Sequence, residues 1–329
     1  MTEEQDNQVQ QEINKAINFL GQNKFLEAEN TCLKIIDTGD NADAYHILSS
    51  IKIYQQEFED SIKYVKKSIA INDGNPGYHV TLGCAYSAKE DYESSITAFK
   101  SAIKINSKIA QVHFYLGESY RKLKKYNDAI SAFYNTTELS PDHVGAYLLL
   151  GVVYQEKKQF DLSIKAFQKC IEIMPDYAEA HLNLGLCYLL IGDYENGWRE
   201  YEWRRKIIKE SSDKLSREWS GQNLENKTLL VLDEGADGNL IHFIRLIREL
   251  KKESCKVAVQ CSEEAIPLIK NQKWIDKAIT ADDFPEHDFY IPIGSLMNVL
   301  KYNPNHHDQI FPYIDCLLYT SDAADDRDS

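Results

Sequence analysis

The sequence predicts a mainly α protein, in which helical hairpins stack into a right-handed superhelix, followed by a partial α/β domain. Two observations support this fold class. Glycines recur 34 residues apart at Gly83, Gly117, Gly151 and Gly185, which is the period of a two-helix repeat unit. After residue 225, short apolar runs alternate with amphipathic segments, which is typical of a parallel sheet with crossover helices.

Each of these glycines lies in the same local pattern. A leucine precedes it, a tyrosine follows three residues later, and a bulky aromatic follows sixteen residues later. The aromatics are Phe99, Phe133, Phe167 and Tyr201. The glycine and a small residue twelve positions later let the two helices of one unit approach closely. Because one unit cannot bury its apolar face alone, we expect the units to stack into a superhelix with a concave groove.

The pattern resembles the tetratricopeptide repeat (TPR), a helix–turn–helix unit of this length. One unit carries the repeat's template as His113, Leu116, Gly117, Tyr120, Ala129, Phe133 and Pro141. The resemblance covers five units well and a degenerate first unit that contains Phe25, Ala28 and Ile35. It implies a TPR array of about six repeats over residues 9–208, preceded by a disordered N-terminus at residues 1–8.

The resemblance also implies that a protein or peptide partner binds in the concave groove, at fixed positions of each first helix. Those positions hold Gln111, Phe114, Glu118, Arg121, Leu148, Val152, Gln155, Glu179, Leu182, Leu186 and Leu189. The groove becomes apolar toward its C-terminal end, where either the following domain packs or an apolar partner binds. The Lys/Asn pattern with which some TPR domains bind a C-terminal carboxylate is absent.

The C-terminal part is predicted to be an α/β segment. Apolar runs at 227–232, 256–260, 277–280 and 288–293 read as strands, with helices from Asn239 and from about Ser295. This alternation predicts a Rossmann-like half over residues 225–315, joined to the array by a linker at 209–224. Residues 316–329 bear no relation to what precedes them and are predicted to be a disordered, non-native tail; an ordinary acidic tail is the alternative.

A second resemblance lies at this junction. Gly197 to Arg204 reads G-W-x-x-Y-E-W-R, and R-x-W-x-G, a strand and a glycine loop follow. This order is similar to that of bacterial TPR proteins with a glycosyltransferase-like domain of the GT-B, heptosyltransferase-like type. Their loop reads E-Q-G-x-G-D, whereas here Ala236 and Asn239 stand in place of a glycine and the final aspartate. Arg204 and Arg205 belong either to an aromatic cap on the next domain or to a site for an anionic ligand.

The resemblance implies that the loop residues Gly235, Gly238 and Asn239 contact an acceptor or another anion. Asp237 is a weak candidate for the general base, because Asn239 cannot take a proton. A tight structural turn is the alternative reading. A complete GT-B enzyme needs a second half that holds a nucleotide-sugar donor, so we expect this chain to be inactive alone and to use no cofactor itself.

Composition excludes several functions. The net charge of −14 argues against nucleic acid, whose phosphates require a basic surface. No apolar run reaches the roughly 18–20 residues that insert across a membrane. No metal site is expected: His79, His113 and His181 share one repeat position, which reads as a packing site. Scattered cysteines and a polar first segment indicate a cytoplasmic protein.

The sequence therefore predicts an interaction scaffold whose TPR groove binds a protein or peptide and which carries an incomplete glycosyltransferase-like domain. Two alternatives remain. A full-length form would be a glycosyltransferase that moves a sugar from a nucleotide donor to a protein or glycan acceptor recruited by the repeats. Otherwise the α/β domain is a pseudoenzyme that only assembles complexes.

Overall fold

The computed structural model describes residues 3–207, 215, 217–235, 237–250, 254–280 and 285–304. Contacts divide the chain into two compact units, Met1–Pro175 and Asp176–Ser329. The boundary therefore lies before the end of the predicted array, and the last helical hairpin belongs to the second unit. The predicted tail at 316–329 lies outside the described residues.

The first unit is built from helical hairpins, as predicted. Its helices are α1 Glu3–Gly21, α2 Phe25–Thr38, α3 Ala42–Tyr54, α4 Phe58–Ile71, α5 Pro76–Ala88, α6 Tyr92–Ile105, α7 Ala110–Lys122, α8 Tyr126–Leu139, α9 Val144–Glu156 and α10 Phe160–Ile173. Helix α1 begins within residues 1–8, the segment predicted to be disordered. Glutamate and glutamine are good helix formers, and acidic residues are favourable at a helix N-terminus, which together account for this earlier start.

Within each hairpin the chain reverses at one residue in the left-handed region. Gln56, Glu90, Lys124 and Lys158, spaced 34 residues apart, have φ values of 57° to 62°. The next residue in this series is Gly192, with φ 86°. Each of these residues follows the end of a first helix, so one backbone conformation sets the same reversal in every hairpin.

The repeating glycines make room for the repeating aromatics. A Cβ added at Gly83, Gly117 or Gly151 would lie 2.4–2.6 Å from a ring carbon of the phenylalanine sixteen residues later. The second hairpin shows the reverse combination, because Ser49 replaces the glycine and the smaller Val65 replaces the aromatic. The Ser49 hydroxyl uses the space to hydrogen-bond the Ser61 hydroxyl at 2.8 Å. The residue that fits at this position therefore depends on the size of the side chain sixteen residues later.

The second unit contains the last hairpin and the α/β segment. Its elements are α11 Ala178–Ile191, α12 Tyr194–Tyr201, α13 Arg204–Ile207, β1 Arg217–Glu218, β2 Thr228–Leu232, α14 Asp237–Phe243, a 3-10 turn at Ile244–Leu246, α15 Ile247–Leu250, β3 Lys256–Gln260, α16 Ile266–Ile269, β4 Lys277–Ile279, β5 Phe289–Pro292, a 3-10 turn at Ile293–Ser295 and α17 Leu296–Val299.

The strands form one small sheet in the order β1-β5-β2-β3-β4, and every neighbouring pair is parallel. Leu229, Val231, Val257, Val259 and Ile291 are fully buried, which is typical of parallel strands covered on both faces. Strands β3 and β4 follow β2 in sequence and lie on one side of it. Strand β5 comes next in the chain but lies on the other side of β2. The parallel sheet confirms the coarse prediction, while its assignment as Rossmann-like stays a prediction.

The sheet begins earlier in the chain than predicted. Strand β1 lies inside the expected linker at 209–224 and pairs with β5. Trp219 and Leu224 are 4% and 0% exposed and belong to the core of the sheet segment. The polar composition of the linker obscured a two-residue edge strand whose partner lies about 70 residues later in the chain. Residues 208–214 and 216 lie outside the described residues.

Candidate functional site

The predicted groove positions of the first unit lie on adjacent first helices. Helix α3 contacts α5, α5 contacts α7 and α7 contacts α9. Residues spaced three or four apart share one side of a helix. We call the surface formed by this side of α3, α5, α7 and α9 the first-helix face; it includes Gln111, Phe114, Glu118, Arg121, Leu148, Val152 and Gln155.

These residues differ in how much of their surface is exposed to solvent. Gln111 is exposed, Val152 and Gln155 are half-buried, and Leu148 is only 6% exposed. The Phe114 ring packs between hairpins, with its centroid 5.8 Å from that of Phe133 and 4.7 Å from that of His143. Leu148 and Phe114 thus serve mainly the packing of the repeats, which the sequence did not separate from binding.

Arg121 links two first helices. Its Nη1 lies 3.5 Å from Oε1 of Glu156, so α7 and α9 are joined by an ion pair. Its Nε is buried and has no hydrogen-bond partner among the described residues. The positive charge of this groove residue is therefore already engaged by a carboxylate of the next repeat.

Glu118 is the half-buried acid of this face. It makes no hydrogen bond or ion pair with any described residue. Burial raises the pKa of its carboxyl group, and the charges of Arg121 and Lys122 oppose that shift without cancelling it. Burial also raises the pKa of the Cys84 thiol to about 11, and the charge of Glu118 adds to that effect. Glu118 on α7 and Cys84 on α5 are thus electrostatic neighbours on the first-helix face.

The face extends to residues that the sequence analysis did not select. Asp43 and His46 occupy the same helix positions on α3 that were used to select α7 and α9 residues. The Tyr78 hydroxyl donates to Asp43 Oδ1 at 2.5 Å, and His46 Nε2 lies 2.8 Å from Thr81 Oγ1. Burial lowers the pKa of His46 and so favours its neutral form, and the charge of Asp43 partly opposes this shift. Applying the same spacing to α3 would have found this pair.

In the second unit, helix α11 carries the remaining groove positions. Glu179 is exposed, and Leu182, Leu186 and Leu189 are half-buried. A Cβ added at Gly197 of α12 would lie 2.6 Å from Cδ2 of Leu189, so this leucine packs within its own hairpin.

The three histidines at the shared repeat position make local contacts. His79 Nε2 and His113 Nε2 hydrogen-bond the carbonyl oxygens of Asp73 and Ser107 at 3.3 and 2.9 Å. The His181 ring stacks on Trp203 with centroids 3.7 Å apart. Over the described ranges, no group of three or more histidine, cysteine or acidic side chains is placed to hold a metal ion.

A buried ionic network connects the last hairpin with the sheet. Arg204 is 5% exposed and donates from Nε and Nη2 to the two carboxylate oxygens of Glu234, at 2.9 and 3.0 Å. Its Nη1 donates to Glu202 at 3.1 Å, and its Nη2 donates to the Ser295 hydroxyl at 3.0 Å. Gly294 N donates to Glu234 at 2.8 Å. Every nitrogen of the guanidinium therefore has an oxygen partner.

Both junction arginines are engaged by carboxylates of this chain, while the two readings of them stay predictions. Burial acts to lower the pKa of Arg204, but Glu234 and Glu202 outweigh it, so the pKa is raised and the charge is held. Arg205 donates to both carboxylate oxygens of Glu218 at 2.6 and 3.1 Å. The anions that contact both arginines are carboxylates of this chain.

The glycine loop follows β2. Gly235 is exposed and has φ 82°, which explains a glycine at this position. Asp237, Gly238 and Asn239 form the first turn of α14 through their backbones. Their side chains and residue 236 lie outside the description, so the base candidate Asp237 and the anion contacts stay predictions.

A cavity of about 710 Å³ in the second unit was not predicted from the sequence. It lies between the start of α12 and the segment after α17, and Trp198 donates from Nε1 to the Tyr302 carbonyl oxygen at 2.9 Å beside it. Its lining includes Asp193, Tyr194, Trp198, Arg199, Lys301 and Tyr302. Since α12 and α17 are about 100 residues apart in the chain, no local pattern indicates this cavity.

Comparison with known proteins identifies the repeats. Residues 42–75 and 80–143 match families described as tetratricopeptide repeat, and residues 154–192 match a family described as TPR repeat. No curated protein matches the sequence. No helix of the described residues is long and apolar enough to cross a membrane.

Several solved structures are similar to part of this chain. The Pseudomonas aeruginosa protein pilF is 14% identical, with a TM-score of 0.56 over 63% of this chain and 94% of that chain. MamA from Desulfovibrio magneticus RS-1 is 23% identical, with a TM-score of 0.47 over 52% and 95% of the two chains. YrrB, described as a TPR protein with an unusual peptide-binding site, is 19% identical, with a TM-score of 0.47 over 54% and 91%. Residues 42–75, 80–143 and 154–192 are therefore tetratricopeptide repeats, as the 34-residue glycine period predicts.

Proposed function

We propose that the protein is an interaction scaffold and that it binds a peptide segment of a partner on the first-helix face of α7 and α9. The observation that carries this proposal is the arrangement of accessible side chains along these two neighbouring helices. Gln111, Glu118, Val152 and Gln155 keep exposed surface there, while Phe114 and Leu148 hold the helices in place beneath them. A rigid face with both polar and apolar groups suits an extended segment, which offers backbone groups and alternating side chains.

The test uses a 12-residue random peptide display library selected on the full chain. Binding of the selected peptides is then compared between Val152→Gln and Leu162→Gln. Both replace an aliphatic residue of the same pair of helices, but Val152 lies on the first-helix face, whereas Leu162 lies on α10 and is 41% exposed. We expect Val152→Gln to weaken binding about tenfold, because the peptide loses one apolar contact worth about 1.5 kcal/mol.

The matched variant defines the result that would contradict the proposal. Leu162→Gln should leave the dissociation constant within twofold of the unmodified chain. Equal losses in both variants, or no loss in either, would mean that peptides bind elsewhere. Circular dichroism melts of both variants show whether the fold is kept.

We propose that this binding takes place in the cytoplasm and involves neither nucleic acid nor membrane insertion. The support is the net charge of −14, which repels phosphate backbones and anionic lipid surfaces. The partner is a protein or peptide.

We also propose a second function for a longer form of the protein, namely glycosyl transfer from a nucleotide-sugar donor. The Arg204 network favours it, because it connects three segments that carry the resemblance: the helix with Arg204, the loop with Glu234 and the turn with Ser295. The chain as it stands is expected to hydrolyse UDP-glucose no faster than buffer, measured as release of UDP. Hydrolysis that disappears in Asp237→Asn would show instead that this chain is an enzyme by itself.

A further inference from the structure

Four lysines lie at the turns inside two neighbouring hairpins of the first unit. The turn between α7 and α8 carries Lys124 and Lys125, and the turn between α9 and α10 carries Lys157 and Lys158. Lys157 is half-buried, and the other three are exposed. Lys157 Nζ donates to Oδ1 of Asn127 in the first turn of α8 at 2.6 Å, so the two turns are neighbours in space. We call these four residues the turn lysines.

The fold of the hairpins does not require lysine at these turns. Lys124 and Lys158 reverse the chain with a left-handed φ of 57°. Gln56, Glu90 and Gly192 have left-handed φ values at the equivalent positions of other hairpins. Because an amide, a carboxylate and a glycine all fit there, the backbone conformation does not select a positive charge.

An earlier hairpin neutralises the lysine at its turn, and these two hairpins do not. Lys89 Nζ lies 2.8 Å from Oε1 of Glu59, which joins the turn between α5 and α6 to the start of α4. Lys157 and Asn127 occupy the equivalent positions two repeats later, so an uncharged amide replaces the carboxylate. None of the turn lysines forms an ion pair with another described residue.

The balance of charge at the turns changes sign along the array. Residues 53–60 and 87–94, at the turns of the second and third hairpins, contain six acidic residues and one basic residue. The equivalent residues 121–128 and 155–162 contain six basic and three acidic residues. Two of these bases and two nearby acids offset one another at the ends of α7 and α9: Arg121, Lys122, Glu118 and Glu156. The four turn lysines then remain with only Asp128 and Asp161, which lie in the first turns of α8 and α10.

We infer that the turn lysines form a second interaction surface, which binds a segment of a partner protein that is rich in aspartate and glutamate. An extended segment advances about 3.4 Å per residue, so carboxylates two or three residues apart reach both turns. Exposed ion pairs are individually weak, so several carboxylates of one segment must bind together. The inference goes beyond the proposed function, because it concerns the turns between helices and not the first-helix face, and either can hold without the other.

The charges of the preceding hairpins favour a short acidic segment over a nucleic acid. Duplex DNA carries one negative charge per about 1.7 Å of its axis along its whole length. Beyond the turn lysines it would approach the acidic residues of 53–60 and 87–94 in the same unit. A short segment of a protein carries its carboxylates over a few residues only, and so it avoids this repulsion.

The experiment measures the fluorescence anisotropy of a labelled 12-residue peptide, in which glutamate alternates with serine, on addition of the full chain. Lys124→Gln, Lys125→Gln and Lys158→Gln are combined in one turn variant. Glutamine fits at positions 124 and 158, because Gln56 adopts the same conformation. We expect the turn variant to bind the peptide about tenfold more weakly, since each exposed ion pair contributes about two- to threefold. Raising the salt concentration from 50 to 500 mM should weaken binding to the unmodified chain by at least as much.

A second triple variant controls for net charge. It combines Lys63→Gln, Lys104→Gln and Lys165→Gln, which replace exposed lysines of second helices and remove the same number of charges. This variant should bind the peptide within twofold of the unmodified chain. A peptide with glutamine in place of glutamate should bind no chain measurably. Replacing the same three turn residues with arginine should keep the affinity, which tests the inference even if the glutamine variant does not fold.

Several results would overturn the inference. Equal losses in the two glutamine variants would mean that the net charge alone governs binding, and absence of peptide binding would remove the surface altogether. Tighter binding of a 12-nucleotide single-stranded DNA, lost in the turn variant, would identify a nucleic acid as the partner. Val152→Gln should leave binding of the acidic peptide unchanged, and a loss there would place the peptide on the first-helix face. Failure of the display peptides to depend on Val152 would overturn only the proposed function.

Discussion

Replacing Arg204 with methionine is expected to lower the free energy of unfolding of the second unit by about 3–5 kcal/mol. Methionine keeps most of the side-chain volume but removes the charge. Glu234, whose side chain is 8% exposed, would keep a buried carboxylate, and the Gly294 N–H would be its one remaining donor among the described residues. The large effect arises because breaking a buried ion pair leaves one charge uncompensated, and not because the intact pair contributes that much.

Tryptophan fluorescence during urea unfolding measures this change selectively. The chain has four tryptophans, and Trp198, Trp203, Trp219 and Trp274 all lie in the second unit. Arg205→Met is the matched control, because its ion pair with Glu218 is 25% and 39% exposed and should contribute at most about 1 kcal/mol. The double variant Arg204→Met with Glu234→Gln should recover part of the loss. If Arg204→Met and Arg205→Met lowered the free energy of unfolding equally, burial would not determine how much each ion pair matters for stability.

Replacing Gly117 with alanine is expected to destabilise the repeats by about 1–3 kcal/mol through overpacking. Alanine by itself favours a helix by about 1 kcal/mol over glycine. Here, however, the new Cβ would lie 2.6 Å from Cε1 of Phe133, a fully buried ring that has little room to move. The steric cost therefore exceeds the gain in helix propensity. The far-UV circular dichroism signal during thermal unfolding measures the result.

The second hairpin supplies the compensating pair. Phe133→Val alone should be destabilising, because it leaves a cavity where the ring lay. Gly117→Ala combined with Phe133→Val pairs a larger residue with a smaller one, as Ser49 and Val65 do, so its loss should be smaller than the sum of the Gly117→Ala and Phe133→Val losses by more than about 0.5 kcal/mol. Gly21→Ala is the control, since a Cβ at Gly21 meets nothing within 4 Å. If the stability losses of the two single variants simply added in the double variant, the residue at position 117 would not be coupled to the side chain at position 133.

The repeats were predictable because each of their determinants is local. Gly117 and Phe133 lie sixteen residues apart in one hairpin, and the same pair recurs in its neighbours, so the period alone fixes the hairpins. Strands β2 and β3 were equally predictable from the sequence, because a buried parallel strand forms a short apolar run. These predictions did not require knowledge of any distant contact.

The remaining features depend on residues that are distant in sequence. Ser295 reaches Arg204 across 91 residues, and β1 finds its partner strand about 70 residues later. The division of the first-helix face into packing residues, such as Leu148, and accessible ones, such as Val152, depends on how neighbouring hairpins fit together. Sequence spacing gives the side of the helix on which a residue lies, but not the distance to the next helix.

The strand order of the sheet reverses after β4, because β5 lies on the other side of β2, and Arg204 lies close to this reversal. In open α/β sheets, the strand order reverses where a crevice opens at the carboxyl ends of the strands, and ligands commonly enter there. In this chain the reversal falls between β2 and β5, and Arg204 of α13 bonds Glu234 after β2 and Ser295 after β5. A molecule that bound at these strand ends would compete with Arg204 for Glu234 and Ser295, so its binding would cost the hydrogen bonds that join α13 to the sheet.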